Sequence, residues 1–439
     1  MKFSRYNLVV PDKNRIVLFN TLQGHCIEID KDTANKIKDN QIDKLEDDVK
    51  QIFIQYGIII NDNVDESRIF SYFHSHEKYS SNSINSTVLL TWACNLKCVY
   101  CFEGEKTDVQ SMSKEQANRY IEFIIKLATI KKAENVMINL FGGEPLVNIE
   151  IGFYILEKIM TYCNENAIYF SSSIITNGTL INEAILDKLL SFNCKSIQIT
   201  LDGIKEIHDS RRIDKQGKGS FDKIIDVLKM LNMKVGDLKT FNTVIRINID
   251  KINIGATYEL LNYIGKNGLD LTNCTVDFGI VRGLTESCAA YSSNCFVEGE
   301  IGSVLYDLWK IAENQGFYYN IRPMRRWMYC GLYSDNQYTV TPNCEVYKCW
   351  EHAGEKEHLI GRLNENGQLV DIQYAYYDWM THNPVENEEC KECVYLPSCG
   401  GGCGMVSYAK TGTYHASGCF KIKGVIEKQL IKCLSEQKN

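Results

Sequence analysis

Cys94, Cys98 and Cys101 fall in one run, Thr91-Trp92-Ala93-Cys94-Asn95-Leu96-Lys97-Cys98-Val99-Tyr100-Cys101, a CxxxCxxC short enough to wrap an iron–sulfur cluster. Four thiolates normally saturate a cubane cluster. A set of three therefore leaves one iron open, and that iron is where a cofactor would bind. Zinc sites more often show a CxxC pair with a distant second pair, so a cluster is the better reading. A second concentration lies at the C-terminal end, where nine cysteines fall within the last 110 residues. Seven form a framework: Cys330-x18-Cys349, then Cys390-x2-Cys393-x5-Cys399-x3-Cys403, then Cys419. A zinc ribbon built from Cys390/Cys393 and Cys399/Cys403 would leave the outer cysteines without a purpose.

The elements that must hold these thiols follow from periodicity. Between Thr87 and about Gly283, apolar β-rich runs alternate with helical ones: Val88 to Trp92 and a helix from Lys114, Val136 to Phe141 and Ile151 to Asn164, Ile168 to Ile175 and Glu183 to Phe192. Ser196 to Leu201 then precedes Phe221 to Leu231, Val244 to Ile249 precedes Thr257 to Lys266, and Thr275 to Val281 is a sixth strand. The fold class is α/β: a parallel sheet with helices outside, in which six units fit a partial (β/α)6 barrel. Ligands bind at the C-terminal strand ends of such folds. The cysteine run sits there, after the first strand.

Other strand ends carry matching chemistry. Gly142-Gly143-Glu144-Pro145 follows the second strand; its glycines permit close backbone approach and its carboxylate can accept an ammonium group. Thr176-Asn177-Gly178-Thr179 follows the third strand and Thr200-Leu201-Asp202-Gly203 the fourth. His208-Asp209-Ser210-Arg211-Arg212 comes next, with Gly217-Lys218-Gly219-Ser220-Phe221 after it, and Arg246 and Asn248 lie on the fifth strand.

The CxxxCxxC with Tyr100 before its last cysteine resembles the radical S-adenosylmethionine (SAM) enzymes, in which SAM chelates the unique iron and is cleaved to a 5′-deoxyadenosyl radical. The resemblance implies that Cys94, Cys98 and Cys101 bind a catalytic [4Fe–4S] cluster. It also implies that Tyr100, Gly142, Gly143, Glu144, Asn177, Thr200, Asp202, Arg211, Arg212 and Arg246 form the SAM pocket. The C-terminal framework resembles the SPASM extension of that family, which houses two auxiliary [4Fe–4S] clusters. Carried across, Cys330, Cys349 and Cys403 would hold the first, and Cys390, Cys393, Cys399 and Cys419 the second. The implied cofactors are three [4Fe–4S] clusters and SAM. Two positions depart from the pattern: Cys344 stands where the family usually has glycine, and Met324 where some relatives supply a fourth ligand. Either the first auxiliary cluster keeps an open iron, or Cys344, Cys288 or Cys295 closes it.

Before Glu66 the chain reads as strands Tyr6 to Val10, Ile16 to Leu18 and Cys26 to Ile29, helices Lys31 to Lys38 and Leu45 to Tyr56, and a strand Gly57 to Ile60. This order is similar to the winged-helix elements that recognise precursor peptides. The stretch Ser67 to Ser86, rich in Ser, His, Asn and Lys, reads as a linker. The expected organisation is a peptide-recognition domain at 1–80, a radical SAM partial barrel at 81–290, a bridging helical region at 291–325 and a SPASM domain at 326–439. Tyr318-Tyr319 and Tyr374-Ala375-Tyr376-Tyr377 are candidates to line a peptide channel, or simply packing residues. Asp202, Asp277 and Glu345 are positional candidates for a general base.

Bulk properties narrow the classes. The 55 acids against 48 bases give a net charge of −7, and no dense Lys/Arg run marks a nucleic-acid surface. No signal peptide or apolar stretch long enough to span a bilayer is visible, so a cytoplasmic location without a membrane anchor is expected. The expected function is maturation of a ribosomally made peptide, in the sactipeptide and ranthipeptide branch, linking a cysteine sulfur to carbon. Carbon–carbon crosslinking and formylglycine formation in anaerobic sulfatases are the alternatives. The expected partners are a precursor peptide with its leader and an electron donor such as flavodoxin or ferredoxin.

Overall fold

A computed structural model describes residues 1–12, 15–104, 109–236, 238–267, 273–283, 286–317 and 322–436. The Tyr318-Tyr319 pair lies outside them.

The N-terminal region contains β1 (Lys2–Phe3), β2 (Asn7–Asp12), β3 (Arg15–Asn20), β4 (His25–Ile29), α1 (Lys31–Lys38), α2 (Asp47–Gln55) and β5 (Ile59–Ile60). Strands β2, β3 and β4 form an antiparallel sheet, while β5 pairs with β1 in a separate two-stranded ribbon. One face of the larger sheet buries Leu8, Val10, Val17 and Phe19 against Ile426 and Leu430 near the C-terminus. The expected linker is instead a helix, α3 (Glu66–Tyr79), capped by Asp65 accepting from Ser67 N. Two of its polar residues, His74 and Lys78, are buried and satisfied. His74 shares hydrogen bonds with the carbonyls of Trp327 and His382, and Lys78 donates to those of Met380 and His382.

The central region runs β6 (Ser83–Leu89), β7 (Leu96–Cys98), α4 (Lys114–Lys131), β8 (Asn135–Phe141), α5 (Ile149–Glu165), β9 (Tyr169–Thr176), α6 (Glu183–Ser191), β10 (Cys194–Thr200), α7 (Lys205–Arg211), β11 (Arg212–Asp214), α8 (Phe221–Val235), β12 (Asn242–Ile249), α9 (Ile254–Lys266), β13 (Cys274–Ile280) and α10 (Glu298–Asn314). Six strands pair in parallel in the order β13-β12-β10-β9-β8-β6. Their sequences alternate, as in β12, where Thr243, Ile245, Ile247 and Ile249 are buried and Asn242, Val244, Arg246 and Asn248 take the other face. Ser113 opens α4 with a reciprocal capping box to Gln116. The first strand starts five residues earlier than its apolar run suggests, because Ser83 pairs with β8 and Asn85 and Ser86 pair with neighbours on both sides.

Those second neighbours come from the C-terminal region: β14 (Gln337–Val340), β15 (Glu345–Tyr347), β16 (Gly361–Leu363) and β17 (Leu369–Val370). Strand β14 lies parallel to β6, and β15, β16 and β17 follow antiparallel, so the sheet has ten strands. Helices α11 (Tyr374–Thr381), α12 (Glu388–Lys391), α13 (Leu396–Cys399), α14 (Gly404–Thr411) and α15 (Val425–Glu436) complete the chain. No helix among the described residues is long and apolar enough to cross a membrane.

Candidate active site

The cysteine run is held from two sides. Its middle, β7, pairs antiparallel with β11, setting Arg212 opposite Cys98. Below it, Gly143 N donates to Thr91 O at 2.9 Å and Glu144 N to Ala93 O at 2.8 Å. That approach requires glycine. A Cβ on Gly142, whose φ is +139°, would stand 2.5 Å from Thr91 O, and one on Gly143 2.6 Å from Ala93 O.

Cys94, Cys98 and Cys101 line one cavity of about 450 Å³, together with Tyr100, Gly142, Gly143, Asn177, Thr200, Arg212 and Arg246. Burial pushes the Cys94 thiol up to about 11 and Cys101 to about 12, and Cys98 also rises, with Arg212 opposing. Three desolvated thiols facing one space form a poor anion site by themselves and a good one for a cationic iron cluster. Leu96 N and the Asn177 amide both point donors at Cys94 Sγ, at 3.4 and 3.9 Å. Arg212 adds a buried Nε with no hydrogen-bond partner among the described residues. This donor in the cavity wall suits the carboxylate of a bound amino acid. The residues present thus fit both a cluster and SAM.

Three residues expected in the pocket stand behind its wall. Glu144 is fully buried, with Oε1 accepting from Thr176 Oγ1 at 2.7 Å and Leu146 N at 3.0 Å, and Oε2 from Asn177 N at 2.7 Å. Burial raises its pKa while these bonds oppose the rise. Its carboxylate ties the glycine turn to the end of β9. Asp202 accepts from the Tyr100 hydroxyl and from Asn248 N. Arg211 bonds Asp250 at 2.8 Å and Tyr291 at 2.9 Å and lies over the Tyr100 ring at 4.6 Å. Tyr100 is the hub, also accepting from Arg212 at 2.7 Å and Asn248 at 3.2 Å. The His208-Asp209 segment is structural. Asp209 caps Ser220 N and Phe221 N, and the neutral His208 ring accepts from Asp202 N.

The cavity's far wall was not singled out from sequence. Trp350, Glu351 and Arg282 line it, with Asp277 paired to Arg246 and Glu351 paired to Arg282. Of the candidate bases only Asp277 lines the cavity; Asp202 is buried behind it, and Glu345 pairs with Arg362 elsewhere.

Behind Trp350 and Glu351, Cys330, Cys349 and Cys403 share one apolar cluster with Tyr333, Trp379 and Met405. Burial raises the Cys330 and Cys349 thiols, and Cys403 raises both further. The other four form a separate group. Burial lifts Cys399 to about 12, with contributions from Cys419, Cys390 and Cys393. Cys344 joins neither. With φ +64° in the β14–β15 turn, it is buried against α4, its Sγ 3.6 Å from Gln116 O. Cys288 and Cys295 turn their sulfurs to the carbonyls of Arg282 and Tyr291.

His352, Glu355 and His358 place possible ligand atoms within 4.8 Å of one another. Their imidazoles are stacked, however, 3.4 Å apart and 10° from parallel, so the lone pairs run side by side rather than converge. Burial keeps both rings neutral, at about 2 for His352 and about 4 for His358.

Residues 88–278 match the model of the Radical SAM superfamily. This stretch is a radical SAM domain. A [4Fe–4S] cluster and SAM are therefore its cofactors. The chain is 27% identical over 364 residues to the cysteine-type anaerobic sulfatase-maturating enzyme of Clostridium novyi, covering 77% of this chain and 93% of that one. It is 25% identical over 441 residues to the radical SAM cyclopropyl synthase TigE of Paramaledivibacter caminithermalis, covering 91% and 89%. Among solved structures it is similar to Streptococcus suis SuiB bound to its precursor peptide SuiA, with TM-score 0.55, 16% identity, and 97% and 99% coverage.

Proposed function

We propose that this enzyme matures a ribosomally made peptide by linking a cysteine sulfur to a carbon of another residue. In this reading Cys94, Cys98 and Cys101 hold the catalytic cluster, Cys330, Cys349 and Cys403 the first auxiliary cluster, and Cys390, Cys393, Cys399 and Cys419 the second, three [4Fe–4S] clusters in all. The supporting observation is the position of Cys344, packed on α4 away from the Cys330 triad, which leaves that triad with three cysteines. When bound, the catalytic cluster with SAM supplies a 5′-deoxyadenosyl radical, and the first auxiliary cluster supplies an electron acceptor with an iron open to thiolate.

Joining a thiol to a carbon removes two hydrogens, one as an atom and one as a proton, and leaves one electron to discard. The chain's residues enclose that change. The glycine turn and Asn177 orient the radical side, Trp350 and Glu351 wall the opposite side, and Asp277 stands at the rim as the proton-accepting candidate, restrained by Arg246. The N-terminal region supports a leader-bearing substrate. It offers the edge strand β4 for strand addition. SuiB, which shares the fold, accommodates a precursor peptide. A small electron carrier such as flavodoxin or ferredoxin completes the reading.

A second reading, carbon–carbon bond formation, is supported by the cyclopropyl synthase among the relatives. Mass spectrometry of a cysteine-bearing peptide encoded beside this gene, coexpressed anaerobically and alkylated, separates the two. Loss of two hydrogens and one alkylatable thiol supports the sulfur link. The same loss with every thiol reactive moves the assignment to a carbon–carbon bond, and an unchanged peptide moves it to sulfatase maturation.

A further inference from the structure

Arg282 follows β13 at the barrel mouth and reaches into the C-terminal region. Its Nη1 donates to Cys403 Sγ at 3.5 Å, its Nη2 pairs with Glu351, and its guanidinium lies over the Phe420 ring at 4.9 Å. The same side chain lines the cavity that holds Cys94, Cys98 and Cys101. Its side chain thus both faces the radical site and hydrogen-bonds a cysteine of the C-terminal triad, while Glu351 meets Cys349 through its backbone amide. Lys421 is a second cation near Cys403, without a hydrogen bond to its sulfur.

We propose that Arg282 is a positioning residue that sets the reduction potential of the cluster on Cys330, Cys349 and Cys403 and pins Glu351 to the cavity wall between the two metal centres. The inference rests on the assignment of that triad to a cluster. A cationic donor on a ligand sulfur stabilises the added electron, and hydrogen bonds to cluster sulfurs are a recognised determinant of potential. A carboxylate beside the same sulfurs acts oppositely. Arg282 neutralises Glu351 and donates to Cys403 at once, so its removal withdraws one stabilising charge and releases one destabilising charge. Both changes make the cluster harder to reduce. The pairing also fixes how much room substrate has between the barrel mouth and the triad, since Glu351 and Trp350 form that wall.

The test is an anaerobic, EPR-monitored redox titration of the reconstituted full chain carrying Cys94→Ala, Cys98→Ala and Cys101→Ala, so that the remaining signals come from the C-terminal cysteines. Adding Arg282→Met should shift one signal to more negative potential by at least tenfold in its reduction equilibrium, ~59 mV for one electron. Glu351→Gln should move the same signal the other way, and Arg282→Lys should restore part of the shift. The second signal, from cysteines Arg282 does not touch, should stay put. The proposal is overturned if neither variant moves a signal, if both signals move together, or if Arg282→Met and Arg282→Lys alike lose iron, which is the mark of a purely structural role. If Cys330→Ala, Cys349→Ala and Cys403→Ala remove no iron from that background, the cluster assignment itself fails, a separate result.

Discussion

The chain surrounds thiols of one kind with two unlike environments. Around Cys94, Cys98 and Cys101 the wall carries polar donors and the backbone does the holding: a β7–β11 ladder, a glycine turn pressed to 2.9 Å, amide donors on Cys94 Sγ and a guanidinium opposite Cys98. Around Cys330, Cys349 and Cys403 the wall is aromatic and packed, with Tyr333 stacked on Trp379 at 4.9 Å and Arg282 the hydrogen-bonding cation. The first arrangement leaves room for a polar cofactor to enter and leave. The second is closed in by packed side chains, as the proposed auxiliary cluster would need for electron exchange and a single substrate thiolate.

The contrast predicts separable failures. The largest effect is all-or-none: Cys94→Ala, Cys98→Ala and Cys101→Ala together should abolish release of 5′-deoxyadenosine from SAM under reducing conditions. Replacing Cys330, Cys349 and Cys403 by alanine should leave that release measurable while abolishing peptide modification; loss of both activities in both variants would break the comparison. Trp379→Ala should cost about 3–5 kcal/mol in denaturant unfolding, with iron lost from the C-terminal centres first. Gly142→Ala should cost less, about 1–3 kcal/mol, because one Cβ meets an immovable carbonyl, and here the catalytic cluster should be depleted first, read by iron content and EPR.

The smallest effect is a pH slope. Burial holds Lys78 down to about 8, well below a lysine in the unfolded chain. Between pH 8 and about 10.4 the unfolded chain therefore binds more protons, so this group makes stability rise with pH across that window, and the gain is lost as pH falls toward 8. Thermal unfolding of Lys78→Met should lack that rise.

The grouping of Cys94, Cys98 and Cys101 on one cavity was legible because residues on a short loop stay close, and the strand ends were legible because apolar runs mark buried parallel strands. Other features were hidden for physical reasons. Residues 67–79 read as linker because Ser, His and Lys dominate, yet His74 and Lys78 are buried and satisfied by carbonyls some 300 positions away. Asn85 and Ser86 look too polar for a central strand, since the sequence does not reveal that β14 covers their edge. Glu144, Asp202 and Arg211 were placed in the pocket by motif alone, but burial turns them into the supports of residues that do face it. Arg282 and Glu351 carry no motif, and only the meeting of two distant segments gives them a role.

The parallel pairing of β14 with β6 has a consequence for any shortened form of this enzyme. A barrel cut before Gln337 would present Asn85–Val88 as a bare edge, buried residues and open backbone groups together. Such edges recruit strands from other molecules. A truncated barrel should therefore precipitate rather than persist as a soluble catalytic fragment, and the C-terminal region is, among its other duties, the chain's own guard against self-association.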